Sequence, residues 1–223
     1  MKTGALFAAL MLGIGVLIGA QDGPPANGVV RGEITFEGSL RPAMKINVSS
    51  DPGCAARGPQ LRESPEDVVI YARPLSASSF PIPSEPVVLE FRDCQYTPRT
   101  LTLRAGQNLL IRNTDNTAHN AHAWPTINKP FNNSLMPRSE LVHVFAAEES
   151  PFPIRDDIHN WESAYIGVFS HPYYAVAKLK QGYRFSLPAG RYEIGVWHEQ
   201  FRSPTQQIEA RAGEISELNW ILK

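Results

Sequence analysis

The sequence predicts an all-β protein, and three observations support this fold class. The chain of 223 residues contains 19 prolines and 16 glycines, which favour short strands joined by many turns. Several short stretches partly alternate polar and apolar residues, the pattern of a strand with one buried face. Beyond residue 20, no apolar period of 3.6 residues continues for three turns. We therefore expect β-sandwich architecture, as one large domain or two small ones.

The first 20 residues are predicted to be a signal peptide. Lys2 precedes an uncharged apolar and glycine-rich run that extends from Ala5 to Ala20, and cleavage is expected after Ala20. The run is shorter than a typical membrane-spanning helix, although an uncleaved anchor or a buried helix is the alternative. No later stretch is apolar enough to span a bilayer. We expect an exported protein, periplasmic or extracellular, without a stable membrane span after signal removal.

The predicted strands lie between clear turn signals. Glu37-Gly38 ends the first strand, and Ala105-Gly106 separates two later ones. A Pro- and Ser-rich stretch at 74–86 is typical of a linker, and the polar segment 113–137 is predicted to be irregular. In chain order, the predicted strands are residues 29–36, 67–72, 87–91, 100–104, 108–112, 141–145, 164–169, 183–187, 192–197, 206–210 and 218–222.

Charge and cysteine content restrict the classes of partner and compartment. The formal net charge is −1 without a basic block, so nucleic acid is not expected as a partner. The two cysteines, Cys54 and Cys94, predict one disulfide in an oxidising compartment, with two separate thiols as the alternative. Such a bond would close a loop of roughly 40 residues and stabilise the fold by about 3–4 kcal/mol. Neither cysteine belongs to a C-x-x-C motif, which argues against a redox enzyme.

The histidines are the main concentration of reactive side chains. His119 and His122 occur close together, and His159 lies between two acidic residues, Asp156 and Glu162. Two imidazoles with carboxylates can bind zinc, copper(II) or manganese. If residues 119–122 are extended, His119 and His122 point to opposite faces and do not share an ion. The alternative is that these histidines are surface or hydrogen-bonded structural residues.

Residues 86–174 carry a resemblance to a known family. Residues 98–120 contain spaced apolar residues, a turn glycine and then His119-Asn120, and they resemble the first half of a cupredoxin. In that family a His followed by Asn is the first copper ligand. Residues 156–162 are similar to the loop of the second half, Cys-Asp-x-His-Pro-Trp-Met, in which Cys, His and Met bind copper. Residues 164–174 continue as in plastocyanin-like proteins of the methylamine-utilisation type.

The same alignment shows where the sequence departs from the family. Asp156 takes the place of the ligand cysteine and Glu162 that of the axial methionine, while His119 and His159 match the two histidines. A blue-copper centre depends on a short copper–thiolate bond, so no blue copper is expected. One hypothesis is a redox-quiet copper(II) or zinc site formed by these four residues. The favoured hypothesis is loss or weak binding of metal, with the sandwich kept as a scaffold.

The flanking segments resemble a different module. Residues 28–38 and 182–194 are similar to strands of a carboxypeptidase-regulatory-like, or prealbumin-like, β-sandwich. The predicted fold therefore combines a cupredoxin-like Greek-key β-sandwich at 81–174 with this smaller sandwich, formed by 27–80 together with 175–223. These motifs are turn and core residues, so they indicate the fold rather than an activity.

The leading functional hypothesis is an exported, non-catalytic cupredoxin-like binding or scaffold protein with a degenerate copper site. A metal-binding protein is the first alternative. A module that binds a polysaccharide or an envelope protein is the second, because aromatic side chains can stack on sugars. An enzyme is not expected, since no phosphate-binding glycine loop and no nucleophile elbow occur. The aromatics considered are Trp124, Trp161, Tyr165, Tyr173 and Trp197.

Overall fold

A computed structural model describes residues 27–49, 51–56 and 60–223, and it confirms the all-β fold class. The predicted signal peptide lies outside these residues. The elements are β1 Gly28–Phe36, β2 Met44–Ile46, α1 Pro52–Ala55, β3 Gln60–Arg62, β4 Asp67–Pro74, β5 Val87–Arg92, β6 Gln95–Thr97, β7 Thr100–Arg104, β8 Asn108–Asn113, β9 His119–Ala123, β10 Phe131–Leu135, β11 Glu140–Val144, β12 Glu149–Arg155, β13 Ser163–Phe169, β14 Tyr174–Lys178, β15 Gly182–Leu187, β16 Gly190–Trp197, β17 Gln206–Ala210, β18 Ile215–Glu217 and β19 Trp220–Leu222.

The first buried core lies between two sheets formed by both ends of the described chain. One sheet has the order β15-β1-β18, with β19 also paired to β1, and the other has the order β14-β4-β16-β17. Alternation determines which side chains enter this core. In β15, Tyr183, Phe185 and Leu187 are buried and the residues between them are exposed. The core therefore joins residues that are distant in sequence, from Val30 to Leu222.

Strand β1 is paired in parallel with the last strand of the chain. Ile34 lies opposite Trp220, and Trp220 is only 1% exposed. Between the β18 and β19 pairings, the carbonyl oxygen of Leu218 approaches so closely that a Cβ atom on Gly32 would lie 1.9 Å from it. Glycine is therefore required at position 32, because any side chain there would separate the two strands.

The second buried core lies between a five-stranded and a four-stranded sheet. Their orders are β10-β9-β12-β13-β7 and β11-β8-β5-β6. The two parallel pairs, β7 with β13 and β5 with β8, connect strands that are not neighbours in sequence. The core is formed by apolar side chains of 89–168, including Phe91, Leu103, Ile111 and Ile154. This sandwich carries all four predicted metal ligands.

The prediction that 113–137 is irregular was wrong in part. This segment contains β9 and β10, which pair along their whole length. The signal was hidden because the inward positions of β9 hold His119, Ala121 and Ala123, which do not form a strongly apolar pattern. Strand β12 was also missed, since its Pro151 and Pro153 argue against a strand.

A short arm, formed by the described residues 44–49, 51–56 and 60–62, lies against the second sandwich. It consists of β2, the one-turn helix α1 and β3, and β2 pairs antiparallel with β3. The predicted disulfide is confirmed: Cys54 in α1 is bonded to Cys94 in the turn between β5 and β6. Both cysteines are buried beside Val48, and Trp161 packs against them. The bond therefore attaches the arm covalently to the second sandwich.

Arg104, at the end of β7, is buried at a junction between segments. Its side chain is 4% exposed and donates hydrogen bonds to the carbonyl oxygens of Phe80, Pro81, Phe169 and Ser170. Among the described residues it has no carboxylate partner. The guanidinium therefore links the segment that precedes β5 to the end of β13.

His171 is buried in an aromatic cluster next to this junction. It is 1% exposed, its Nε2 has no hydrogen-bond partner among the described residues, and its ring lies near Phe169, Tyr173 and Tyr174. Burial, together with the charges of Arg104 and Arg73, lowers the pKa of His171 to about 4 from 6.5. The unfolded chain therefore takes up a proton at a higher pH than the folded chain does.

We expect this group to make the fold sensitive to acid. Its contribution to stability is complete above pH 6.5 and is lost as the pH falls towards 4, up to about 3 kcal/mol. The variant His171→Phe removes the titrating group, so its free energy of unfolding should depend less on pH in that interval. Urea unfolding of both proteins at several pH values checks this. Equal slopes for the two proteins would contradict it.

The only helix among the described residues is α1, which has four residues, and no helix in this part of the chain has the length and hydropathy needed to cross a membrane.

Candidate metal centre

Three of the four predicted ligands lie on one short connection between β12 and β13. Asp156 begins this connection and Glu162 ends it, and their backbones are joined because the Asp156 N–H donates to the Glu162 carbonyl oxygen (3.2 Å). Within the loop, one carboxylate oxygen of Asp156, Oδ1, accepts from the backbone N–H groups of Ile158 (2.7 Å) and His159 (3.1 Å). The loop is thus closed on itself and presents its side chains in a fixed arrangement.

The fourth predicted ligand, His119, is placed against this loop by the sheet. It is the first residue of β9, and β9 pairs with the end of β12, where His122 lies opposite Arg155. The ring of His119 stacks on Phe91, with centroids 4.4 Å apart and planes inclined by 7°. All four side chains are buried, at no more than 2% exposure. One ligand atom from each lies within 4.8 Å of those of the other three.

The two histidines face each other through the same ring atom. The distance between His119 Nδ1 and His159 Nδ1 is 3.1 Å, and Asp156 Oδ2 lies 2.9 Å from the first and 3.0 Å from the second. Glu162 completes the group, with one oxygen 3.4 Å from His119 Nδ1 and the other 3.5 Å from His159 Nδ1. Two ring nitrogens and two carboxylates therefore surround one point.

Two further carboxylates fix the orientation of the imidazoles. Asp115 Oδ2 lies 3.2 Å from Nε2 of His119, and Asp51 Oδ2 lies 3.2 Å from Nε2 of His159. A carboxylate accepts a hydrogen bond from a protonated Nε2, and in a neutral imidazole this leaves the lone pair on Nδ1. Both lone pairs then point at the centre of the group. Metal-binding histidines commonly have such outer carboxylate partners.

Among the four predicted ligands, Glu162 has the least support from hydrogen bonds. Neither of its carboxylate oxygens has a hydrogen-bond partner among the described residues, although both are buried. The two contacts to Nδ1 atoms are within ion-pair distance but lack hydrogen-bond geometry. Burying a carboxyl group without partners is unfavourable, so a further group at the centre would relieve it.

The pKa values of the cluster are strongly perturbed. Burial raises the pKa of Glu162 to about 8, and the charge of Asp156 adds to this against the effect of the histidines. Burial alone would lower the pKa of His119, but hydrogen bonds with Asp115 and Asp156 raise it to about 9. Burial opposes ionisation of Asp156 as well, yet its hydrogen bonds with both histidines hold its pKa well below the usual range. The site therefore favours a positive charge at its centre.

His122 is not part of the cluster, as its place in β9 predicted. Its side chain is 24% exposed and its Nδ1 lies 2.9 Å from Asp157 Oδ2.

His198 is buried for a structural reason, because its Nε2 contacts the carbonyl oxygen of Pro65 at 2.7 Å. The five aromatic residues considered for sugar stacking do not form one surface among the described residues; within the set only Tyr165 and Trp197 contact each other.

The disulfide lies directly beside the cluster. Both of its sulfur atoms are within 4.8 Å of a Glu162 carboxylate oxygen. The Cys94 sulfur is equally close to a ring nitrogen of His119, and the Cys54 sulfur to one of His159. A bonded disulfide has no thiolate to offer to a metal, so these sulfurs are neighbours of the site rather than ligands.

Sequence reasoning located the four central residues and missed the two outer ones. Asp115 was within the segment that carries the cupredoxin resemblance, four residues before His119, but spacing alone gave it no role. Asp51 is 108 residues from His159 and reaches it only because the arm is attached by the disulfide. The one available signal was that Asp51 stands just before Pro52, as the N-cap of α1.

Comparison with known proteins gives a likeness of fold. No protein-family model and no curated protein matches the chain. Solved structures that match include a nitrite reductase, a purple cupredoxin and amicyanin. A Cu-containing nitrite reductase from Thermus scotoductus SA-01 has 16% identity and a TM-score of 0.37 over 44% of this chain. A purple cupredoxin from Nitrosopumilus maritimus has 20% identity and a TM-score of 0.33 over 37% of this chain and 98% of its own. Amicyanin from Paracoccus versutus has 17% identity and a TM-score of 0.35 over 39% of this chain and 84% of its own.

Each match covers less than half of this chain. The chain spans about a quarter (26%) of the nitrite reductase chain, and more than half of this chain lies outside each match. At these identities and TM-scores the likeness says nothing about the ion or its ligands.

A blue-copper ion does not fit the residues present. Neither cysteine of the chain is a free thiol, and the four central donors are two nitrogens and two carboxylates. Without a thiolate the strong copper–sulfur bond cannot form. A harder divalent ion does fit, because imidazole and carboxylate are the donors that zinc and copper(II) accept.

Proposed function

We propose that the protein is an exported, non-catalytic metal-binding protein that holds one divalent ion, copper(II) or zinc. His119 and His159 bind it through Nδ1, and Asp156 and Glu162 bind it through carboxylate oxygens. The observation that carries this proposal is the contact between the two Nδ1 atoms. With each Nε2 beside a carboxylate, release of the Nδ1 protons turns two ring lone pairs and two carboxylates towards one point, which is a donor set that suits a divalent cation.

The burial of the donors supports a structural or storage role rather than catalysis. Four protein donors complete the coordination shell of a tetrahedral ion, whereas catalytic zinc sites keep a position open for water or substrate. The Cys54–Cys94 disulfide supports export, because disulfides persist in oxidising compartments. The alternative of a scaffold that has lost its metal gives no reason for the unpartnered Glu162 carboxylate.

The proposal is tested by metal content. Protein stripped with a chelator and reloaded separately with zinc and with copper(II) should retain one ion per chain. His119→Ala and His159→Ala should each weaken binding by more than about 100-fold, since loss of an outer partner alone costs 10–100-fold. His122→Ala, on the same strand but outside the cluster, is the matched control and should keep the ion. Equal metal content in all four proteins would sink the proposal.

The outer carboxylates provide a second prediction. Asp51→Asn removes the charge behind His159 while keeping an oxygen that can accept the hydrogen bond of the Cys54 backbone. Zinc affinity should fall about 10-fold or more, because the imidazole becomes a weaker donor. Competition titration against a coloured chelator measures this. An unchanged affinity would mean that Asp51 only caps α1.

A further inference from the structure

We propose that reduction of the Cys54–Cys94 disulfide exchanges one ligand of this site, so that the Cys94 thiolate binds the ion in place of Glu162. This inference rests on the proposed function. It assigns a second, sulfur-containing ligand set to the same cavity, reached only in the reduced protein.

The positions of the sulfur atoms carry the proposal. Cys54 and Cys94 Sγ and a Glu162 oxygen lie within 4.8 Å of one another. Donor atoms bound to one tetrahedral ion lie about 3.3–3.8 Å apart, given bonds of about 2.0–2.3 Å. A freed Cys94 sulfur therefore needs only a small side-chain movement to enter the shell.

Glu162 is the ligand that exchange would release. Asp156 is fixed by two backbone N–H groups, and each histidine is fixed by an outer carboxylate. Within the described part of the chain, Glu162 is the member of the four whose carboxylate no hydrogen bond holds in place. It also lies on the side of the cluster that faces the disulfide.

Cys94 rather than Cys54 is the incoming ligand, because the backbone around Cys94 is fixed by hydrogen bonds that do not depend on the disulfide. Cys94 lies in the tight turn between β5 and β6, where Asp115 accepts hydrogen bonds from the backbone N–H groups of Asp93 (2.9 Å) and Cys94 (3.0 Å). It stays beside the site when the disulfide opens. Cys54 belongs to the four-residue helix of the arm, which loses its covalent attachment on reduction.

An external dithiol can reduce the Cys54–Cys94 disulfide. A dithiol supplies two electrons and two protons: the Cys54–Cys94 bond breaks, two thiols form, and the dithiol closes into its own disulfide. The Cys94 thiol then gives its proton to water as the sulfur–metal bond forms, and the Glu162 carboxylate leaves the ion. Thiolate is a softer donor than carboxylate, so the site changes its preference among metals with its oxidation state.

Cobalt(II) is the probe for the experiment, since it takes tetrahedral sites and shows thiolate ligation as a strong charge-transfer band. The oxidised protein loaded with cobalt should show ligand-field bands alone. After reduction with a phosphine, which takes the oxygen of one water molecule as two thiols form, and removal of the reagent, the charge-transfer band should appear. Reoxidation should abolish it. Reduced protein that binds cobalt without this band, or that releases the ion, overturns the exchange.

Two single cysteine variants show which of the two sulfur atoms binds the ion. Cys54→Ser should show the charge-transfer band without any reductant, whereas Cys94→Ser should lack it although Cys54 remains as a free thiol. The reduced wild-type protein gives the same answer if a variant does not fold. Failure of oxidised wild-type protein to bind cobalt would instead remove the proposed function, so the two failures are distinguishable.

Discussion

Replacing Glu162 with leucine is expected to make the metal-free protein more stable and, in the same step, to prevent metal from stabilising it. Among the described residues the buried carboxyl group has no hydrogen-bond partner, and burial raises its pKa to about 8. A leucine of similar shape removes this unfavourable burial, and we expect a gain of about 1–3 kcal/mol in the free energy of unfolding. Wild-type protein should instead gain about 2.7 kcal/mol from zinc at 100 times the dissociation constant.

Urea unfolding of both proteins, with chelator and with zinc, separates these effects. Glu162→Gln is the matched control: it keeps a buried polar group, so its metal-free stability should change less than that of Glu162→Leu. Lower stability of metal-free Glu162→Leu, or an undiminished response of that variant to zinc, would show that the carboxylate has another role.

Removal of the Arg104 side chain should be among the most destabilising single changes in this molecule. Four carbonyl oxygens lose a hydrogen bond in Arg104→Ala, although that of Phe169 keeps the Ala105 N–H, and a buried side chain leaves a void. We expect a loss of about 3–5 kcal/mol, because several hydrogen bonds from a charged donor and its packing are lost together. Both the segment at 80–81 and the end of β13 lose an attachment in this variant.

Chemical denaturation with linear extrapolation measures the loss, and Arg104→Lys separates charge from geometry. A lysine keeps the charge but cannot direct donors at four oxygens, so it should recover only part of the stability. Arg92→Ala removes an arginine that is itself 55% exposed, and it should have a much smaller effect. Equal losses in Arg104→Ala and Arg92→Ala would contradict the role given to the junction.

The sequence predicted the strands that alternate and missed those that do not. Strands such as β8 and β15 place apolar side chains at every second position, and their bounds were predicted closely. Strand β9 fills its inward positions with a histidine and two alanines, because a functional group and close packing are needed there, so polarity concealed it. That the two sandwiches belong to the cupredoxin and carboxypeptidase-regulatory-like families stays a prediction.

The four central residues could be predicted because the resemblance to cupredoxins places them at the ligand positions, whereas their spacing alone is a weak signal. The outer residues could not, since Asp51 is brought to His159 by the disulfide and the packing of the arm. The sequence also could not predict which ring nitrogens face the centre of the group. This depends on which nitrogen of each histidine contacts an outer carboxylate.

The pairing of β1 with β19 has a consequence for the order in which the two cores can form as the chain emerges N-terminus first. The strands that form the second core are contiguous in the chain, and all of them have been synthesised once Phe169 is added. The sheet around β1 lacks Trp220 and Leu222 until translation has reached β19, so β1 remains without that neighbour while the later strands are made. The second sandwich can therefore fold first, and the core around residues 28–36 is completed only when β19 is available.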